Sequence, residues 1–220
     1  MTGVNQMKNQ IEGSMVDFAY SEIKGLILHK SLKPGQRLAE STLSEQLAIS
    51  RTPVREALRA LSNDGWVNLI PSCGVWVASP TRREVLDSYE MRTKLECWAL
   101  SKALPNVTPL LISRLEECLE EEERIYNGGD HLLYPDINTK FHLLIAESGG
   151  NGVLCKHLNI LLSQSVIFMA LYEDYFDFQN NPSLDEHRSI VDILRGDSKD
   201  RVIDLMKQHL DTAFSDLKLL

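Results

Sequence analysis

Cysteine is scarce in this chain of 220 residues: only Cys73, Cys97, Cys118 and Cys155 are present, and no two of them stand in a CxxC spacing. A thiolate metal cluster and a disulfide framework are therefore both disfavoured, and reduced, buried thiols are the expectation. Long hydrophobic runs are missing as well. No uncharged apolar stretch reaches the roughly eighteen residues that a membrane span needs, and the start of the chain lacks the basic-then-apolar order of a secretory signal. A soluble, cytoplasmic protein is the expectation. Net positive charge is also lacking, since the formal net charge is −8, which argues against a DNA-packaging protein. The deficit is uneven. Residues 1–80 carry 8 Lys/Arg against 7 Asp/Glu, a net +1, while residues 81–220 carry 15 against 24, a net −9. Only the first part suits a polyanionic partner, and there the placement of the arginines has to carry the argument.

What is present is 43% hydrophobic residues, enough for one large or two small cores. Residues 1–15, rich in Asn, Gln and Gly, show no sustained periodicity and are expected to form a mobile tail. Phe18, Tyr20, Ile23, Ile27 and Leu28 predict an amphipathic helix ending before Lys33-Pro34-Gly35. A short helix follows, capped by Ser41 or Thr42 with Glu45 completing a capping box, and with Leu43 and Leu47 facing inward. Thr52 and Pro53 suit the start of a third helix with a Val54/Leu58/Leu61 stripe, closed by Asn63-Asp64-Gly65. Val67–Ile70 and Val75–Val77, joined through Pro71-Ser72-Cys73-Gly74, read as a β-hairpin. Three helices plus a hairpin over residues 16–80 make a winged helix-turn-helix. Beyond Pro80 strand signals vanish, and residues 81–220 divide into about six helical segments broken at Pro105, Gly128-Gly129, Gly149-Gly150, Asn180-Asn181-Pro182 and Gly196. The fold class is thus mainly α. The acidic run from Glu116-Glu117 through Glu120 and Glu123 reads as a solvated helix face, because consecutive glutamates point in different directions.

Arg51, Arg55 and Arg59 recur every four residues, an advance of about 40° per step, so they share one face of the third helix, opposite its apolar stripe. Such a face can enter the major groove of DNA, donating to guanine or phosphate, with Thr52 at the helix start adding a phosphate donor. A solvated basic face partnered by Glu56 is the competing reading. At these residues the chain resembles the GntR superfamily of regulators: Leu32-Lys33-Pro34-Gly35-Gln36-Arg37-Leu38, Leu43-Ser44-Glu45-Gln46-Leu47, Ser50 to Leu58 and Asp64-Gly65-Trp66-Val67 follow its N-terminal signature. The resemblance implies operator contacts from Arg51, Thr52 and Arg55, with Arg59 and Ser41 on the same surface. At the wing tip Ile70, Ser72 and Cys73 stand where members often carry a basic or glycine residue.

Tyr89 to Glu96, Asn138-Thr139-Lys140-Phe141-His142 with Ile145 to Ser148 and Asn151, Glu186-His187 and Lys207 to Leu210 resemble the FadR-type ligand-binding domain, FCD, in its six-helix, VanR-like form. The resemblance implies a divalent metal on Asn138, His142, His187 and His209. Asn138 and His142 share a helix face, and three imidazoles suit Zn, Ni or a similar ion. Asn138 replaces the family's usual aspartate, and Asp136, about 160° away around the helix, is no substitute. An all-neutral ligand set leaves the charge of the ion to be matched by an anionic effector, such as a small carboxylate. The resemblance places Arg92 at the cavity, where it can pair bidentately with that carboxylate; the alternative is a helix-surface pair with Glu96 at i+4. His29, His131 and His157 read as ordinary.

These readings combine into a homodimeric, ligand-responsive repressor of an inverted-repeat operator, with effector contacts from Arg92 and Asn138 and no enzymatic activity. The alternative is a metal-dependent enzyme acting on a small organic acid, since three histidines with open metal positions can activate water. No general base accompanies them in the sequence, Glu186 projecting elsewhere on its helix from His187.

Overall fold

The computed structural model describes residues 2–128, 130, 133–172, 182–196 and 200–217; Gly129, His131, Asn180 and Asn181, named above, lie outside them. The chain forms two units, Met1–Pro80 and Thr81–Leu220.

In the first unit, α1 spans Thr2–Leu28, β1 Arg37–Leu38, α2 Glu40–Gln46, α3 Arg51–Asn63, β2 Val67–Ile70 and β3 Gly74–Val77. Helix α1 begins well ahead of residue 16, so the segment read as a tail is helical. Residues 2–15 contain no proline, and their Met, Lys, Gln and Glu are sound helix formers despite two glycines. Ile23 and Ile27 of α1 are wholly buried, as are Val54, Ala57 and Leu61 of α3, and α1 packs on α3. The caps fall two or three residues before the expected ones. Ala39 caps α2 and Ser50 caps α3, neither through a side-chain hydrogen bond, so Ser41, Thr42 and Thr52 sit inside first turns.

The expected hairpin gains a third strand. Antiparallel β2 and β3 pair from Val67↔Val77 to Ile70↔Gly74, and β1 adds to the other edge of β3 with Arg37↔Trp76. Two residues of pairing are too short for a sequence period to register. At the hairpin turn Ser72 and Gly74 both adopt positive φ, 62° and 102°, and the Cys73 amide donates to Ile70 O at 3.0 Å.

The second unit holds α4 Arg82–Ala103, a 3₁₀ turn Leu104–Asn106, α5 Pro109–Tyr126, α6 Tyr134–Ser148, α7 Gly152–Tyr172, α8 Ser183–Arg195 and α9 Val202–Ser215. Helix starts are chemically marked. Thr81 and Glu84 form a reciprocal capping box at α4, Thr108 Oγ1 accepts from Leu111 N at α5, and Asn151 Oδ1 accepts from Leu154 N at α7. Gly149 closes α6 against α4: an added Cβ would lie 2.9 Å from Lys102 Cβ and 3.2 Å from Ala99 O. The main core joins Leu100, Leu115, Phe141, Ile145, Ile190 and Leu210 from five helices. Helix α7 has the length and mean hydropathy, 1.4, of a membrane-crossing segment, but Leu154, Leu158 and Leu162 pack with Ala99 and Ala146 in a second cluster, as in the core helix of a bundle.

Candidate functional site

On α3 the apolar stripe Val54, Ala57, Leu58 and Leu61 is buried, so the positions between are turned outward. Arg51, Thr52, Arg55 and Arg59 are all exposed there, and Ser41 on α2 is half-buried. Glu56 does pair with Arg59, Nη1 to Oε1 at 2.9 Å, as the solvated-face reading requires of one arginine. Arg55 reaches instead to Glu40 at the start of α2, donating from Nε to both carboxylate oxygens at 3.1 Å and from Nη2 to Oε2 at 2.8 Å. Its hydrogen bond, more than any other influence, holds the Glu40 carboxyl below the usual carboxylate range. The wing is less bare than its tip residues imply, because β1 places Arg37 beside β3 with its guanidinium 5.9 Å from the Trp76 ring. A cation thirty-odd residues upstream of the hairpin could not be assigned to the wing without the sheet pairing.

In the second unit His142 from α6, His187 from α8 and His209 from α9 are brought together, each almost wholly buried. His187 Nε2 lies 3.2 Å from His209 Nε2, and His209 Nε2 lies 3.4 Å from His142 Nε2. Behind each ring stands a carboxylate. His142 Nδ1 is 2.5 Å from Glu96 Oε2, His187 Nδ1 is 2.8 Å from Glu122 Oε2, and His209 Nδ1 is 2.7 Å from Glu186 Oε2. An ionised carboxylate only accepts, so Nδ1 of His187 and of His209 carries the proton and their Nε2 atoms present lone pairs; His142 Nδ1 touches Glu96 outside hydrogen-bond geometry, and the charge of the carboxylate draws the proton to that same nitrogen. Three lone pairs converging in a buried space repel one another unless a cation sits among them, and this is the orientation that metal-binding histidines receive from carboxylate partners. The donor set therefore fits a divalent metal.

Electrostatics agree. Burial lowers the pKa of His142 to about 3 against the pull of Glu96, and burial also lowers that of His209, keeping both rings in the neutral form that can ligate. For Glu96 burial works toward protonation, but His142 and Arg92 outweigh it and hold the carboxyl down at about 2. Glu186 is held below its ordinary value by hydrogen bonds from His209 and Thr212, against the effect of burial.

Arg92, only 1% exposed, donates from Nε to Glu96 Oε1 at 2.6 Å, so Glu96 bridges Arg92 and His142. The pairing with Glu96 is real but buried, where a surface pair was the competing expectation. Arg92 also lines a small cavity with Tyr134, Asn138, Ser183, Glu186 and His209. Asn138 is buried at 6% exposure. Of the other histidines, His29 and His157 are exposed.

The glutamates behind the histidines alter the charge argument drawn from the sequence, because three carboxylates stand directly behind the rings. The acidic run is not wholly solvated either. Glu122, adjacent to Glu123, is buried and tied to His187. A signal existed, since Glu122 occupies the next place in the buried series Leu111, Leu115, Cys118 and Ile125. Glu186 does project away from His187 on α8, and by doing so meets His209 on α9, which only the packing of the two helices reveals.

Residues 15–77 match the family described as bacterial regulatory proteins, gntR family, and residues 87–212 match the FCD domain. The HTH-type transcriptional regulator YdhC of Bacillus subtilis is 30% identical over 89% of this chain and 86% of its own length. The gluconate operon transcriptional repressor of the same organism is 26% identical over 90% of this chain and 81% of its own. Escherichia coli McbR is 30% identical over 73% of this chain and 72% of its own. The solved structure of McbR superposes with a TM-score of 0.67 at 22% identity, covering 91% of this chain and 95% of that one, which speaks to the fold. With both family matches in chain order and a relative at this identity across most of its length, the chain belongs to the GntR family of DNA-binding transcription regulators, in the branch that carries an FCD domain.

Proposed function

We propose that this regulator is a cytoplasmic, homodimeric repressor that binds an inverted-repeat operator and is released or engaged by a small carboxylate sensed through a divalent metal. The observation that carries the sensing half is the convergence of three Nε2 lone pairs, each ring fixed by its own glutamate. His142, His187 and His209 would hold the ion, Zn or Ni being suited to imidazole donors, and Asn138 would contribute its amide oxygen. The ion would supply a Lewis-acidic position for an anionic ligand. Arg92 commits its Nε to Glu96 and lines the same cavity as His209, so its remaining donors are placed to meet a carboxylate. The gluconate operon repressor among the relatives is named for a carboxylate.

For the DNA half, Arg51, Thr52, Arg55, Arg59 and Ser41 form the reading surface, on the helix that docks in the major groove in helix-turn-helix proteins. A dimer is supported by an apolar groove of about 430 Å³ between α4 and α7, where Met91, Trp98, Val153 and Ile160 are 49–70% exposed. A second copy is the occupant we assign, because an inverted repeat is read by two identical units related by a two-fold axis. Sedimentation of the full chain at micromolar concentration should return a dimer; a monomer would remove the assignment of the groove. Calorimetric titration of zinc or nickel, then of a panel of small carboxylic acids, should show each ligand raising the affinity of the other by the same factor. An acid that binds equally well after exhaustive chelation would take the metal out of sensing.

A further inference from the structure

Resting on the DNA reading just proposed, we infer that Glu40 is a positioning residue for base recognition: it grips one edge of the Arg55 guanidinium so that the adjacent edge is held ready as a two-donor fork for a single guanine in each half-site. The guanidinium has two edges that can bind bidentately. The Nε–Nη2 edge is committed to Glu40, with contacts at 3.1, 3.1 and 2.8 Å. The Nη1–Nη2 edge remains for guanine O6 and N7, the two acceptors that arginine meets in the major groove.

Three features favour this role over a surface ion pair. The pair joins different elements, the first residue of α2 to the second turn of α3, whereas Arg59 merely pairs with Glu56 on its own helix. The two side chains are 53% and 30% exposed, and a pair so open to water contributes little to folding. A carboxylate on a face that must approach phosphates is also repulsive, so its presence beside Arg51, Arg55 and Arg59 works against general DNA affinity. What it supplies in exchange is a fixed arginine: a long, flexible side chain already held in one geometry loses less conformational freedom when it meets its base. Arg51 and Arg59 help to keep the Glu40 carboxyl charged.

The role predicts an unusual split, in which neutralising Glu40 improves binding to unrelated DNA while weakening discrimination. The full-length chain would first be used to enrich duplexes from a random pool. The best duplex, every single-base-pair variant of it and an unrelated duplex would then be titrated at fixed salt with wild type, Glu40→Gln, Arg55→Ala and the double variant, thermal unfolding serving as the check on folding. Arg55→Ala should lose roughly tenfold or more of its discrimination at one G·C pair per half-site. Glu40→Gln should lose roughly threefold to tenfold at that same pair, add nothing in the double variant, and bind the unrelated duplex as tightly as wild type or more tightly. If Glu40→Gln fails to fold, Glu40→Asp, which keeps the charge on a shorter arm, should show a partial loss at the same pair. The inference is overturned if the Glu40 variants keep full discrimination there, if they shift all duplexes alike, or if the Arg55→Ala loss is spread evenly over the site as a phosphate contact would make it. A chain that enriches no duplex at all would overturn the DNA reading itself, and the inference with it.

Discussion

In the N-terminal unit the arginines of one helix face, Arg51, Arg55 and Arg59, all stand in solvent, whereas the C-terminal unit takes Arg92, Glu96, Glu122 and three histidines into its interior. The two placements carry different weight as evidence. A solvated charge costs almost nothing, so a basic face is ambiguous until its geometry toward a partner is known. A buried charge is expensive and persists only where neighbours compensate it, which makes the interior network a marker of function in its own right. Helix α4 contains both cases at identical spacing: Arg92–Glu96 is buried, while Arg83–Asp87 is 77% and 50% exposed.

That pairing gives the sharpest way to break the comparison. Arg92→Ala leaves Glu96 buried beside His142 without its cation and should destabilise the C-terminal unit of the full chain by about 3–5 kcal/mol. Arg83→Ala, the same change nine residues earlier, should alter stability by no more than about 0.5 kcal/mol. Urea unfolding monitored by circular dichroism reads both, and equal effects would erase the distinction between the two kinds of charge. On the outward side, Arg55→Ala should leave the unfolding midpoint unchanged while weakening binding to the enriched duplex by about 1–3 kcal/mol. Unaltered duplex affinity would remove α3 from the groove.

A smaller effect tests how well the interior network balances itself. Asn138→Asp adds a negative charge at a cavity that already holds Glu186 and adjoins the other two glutamates through their histidines. Metal affinity should rise by about 1 kcal/mol, less than a carboxylate gives to an uncompensated ion, and the affinity for an anionic effector should fall. Calorimetry of both ligands on wild type and variant measures this. A fall in metal affinity would mean that Asn138 does not face the ion.

The sequence was legible where local chemistry decides. The stripe Val54/Leu58/Leu61 and the breaks at Pro105, Gly149 and Gly196 correspond to elements and their ends, because periodicity and backbone freedom act over a few residues. The three histidines could be assembled from the sequence only through resemblance, since they lie on three different helices. Their glutamate partners could not be assembled at all. Glu186 bonds His209, 23 residues away, and Glu122 bonds His187, 65 residues away, so each depends on which helices become neighbours and at what rotation. β1 was hidden for a related reason, its two residues acquiring strand geometry only from β3.

The N-terminal unit, by contrast, has non-glycine residues at positive φ in three turns, at Lys30, Ala48 and Ser72, and the one at Ala48 yields the mildest prediction. Ala48 lies between α2 and α3 with φ at 53°, a left-handed conformation that costs an L-residue about 1–2 kcal/mol. The turn is held by Ile49 N donating to Ser44 O at 3.1 Å and by Ser44 Oγ donating to Ile49 O at 2.5 Å, so the surrounding bonds over-determine the strained residue. The side chain of Ala48 is exposed, and little packing is lost on its removal. Glycine adopts this conformation freely but has more freedom to lose on folding, about 0.5–1 kcal/mol. Ala48→Gly should therefore stabilise the N-terminal unit by about 0.5–1 kcal/mol, raising its melting temperature by a few degrees without moving the transition of the C-terminal unit. Differential scanning calorimetry of the full chain separates the two. A drop in stability would show that the turn is held by the methyl group of Ala48, and that even the outward-facing unit depends on packing at its loops.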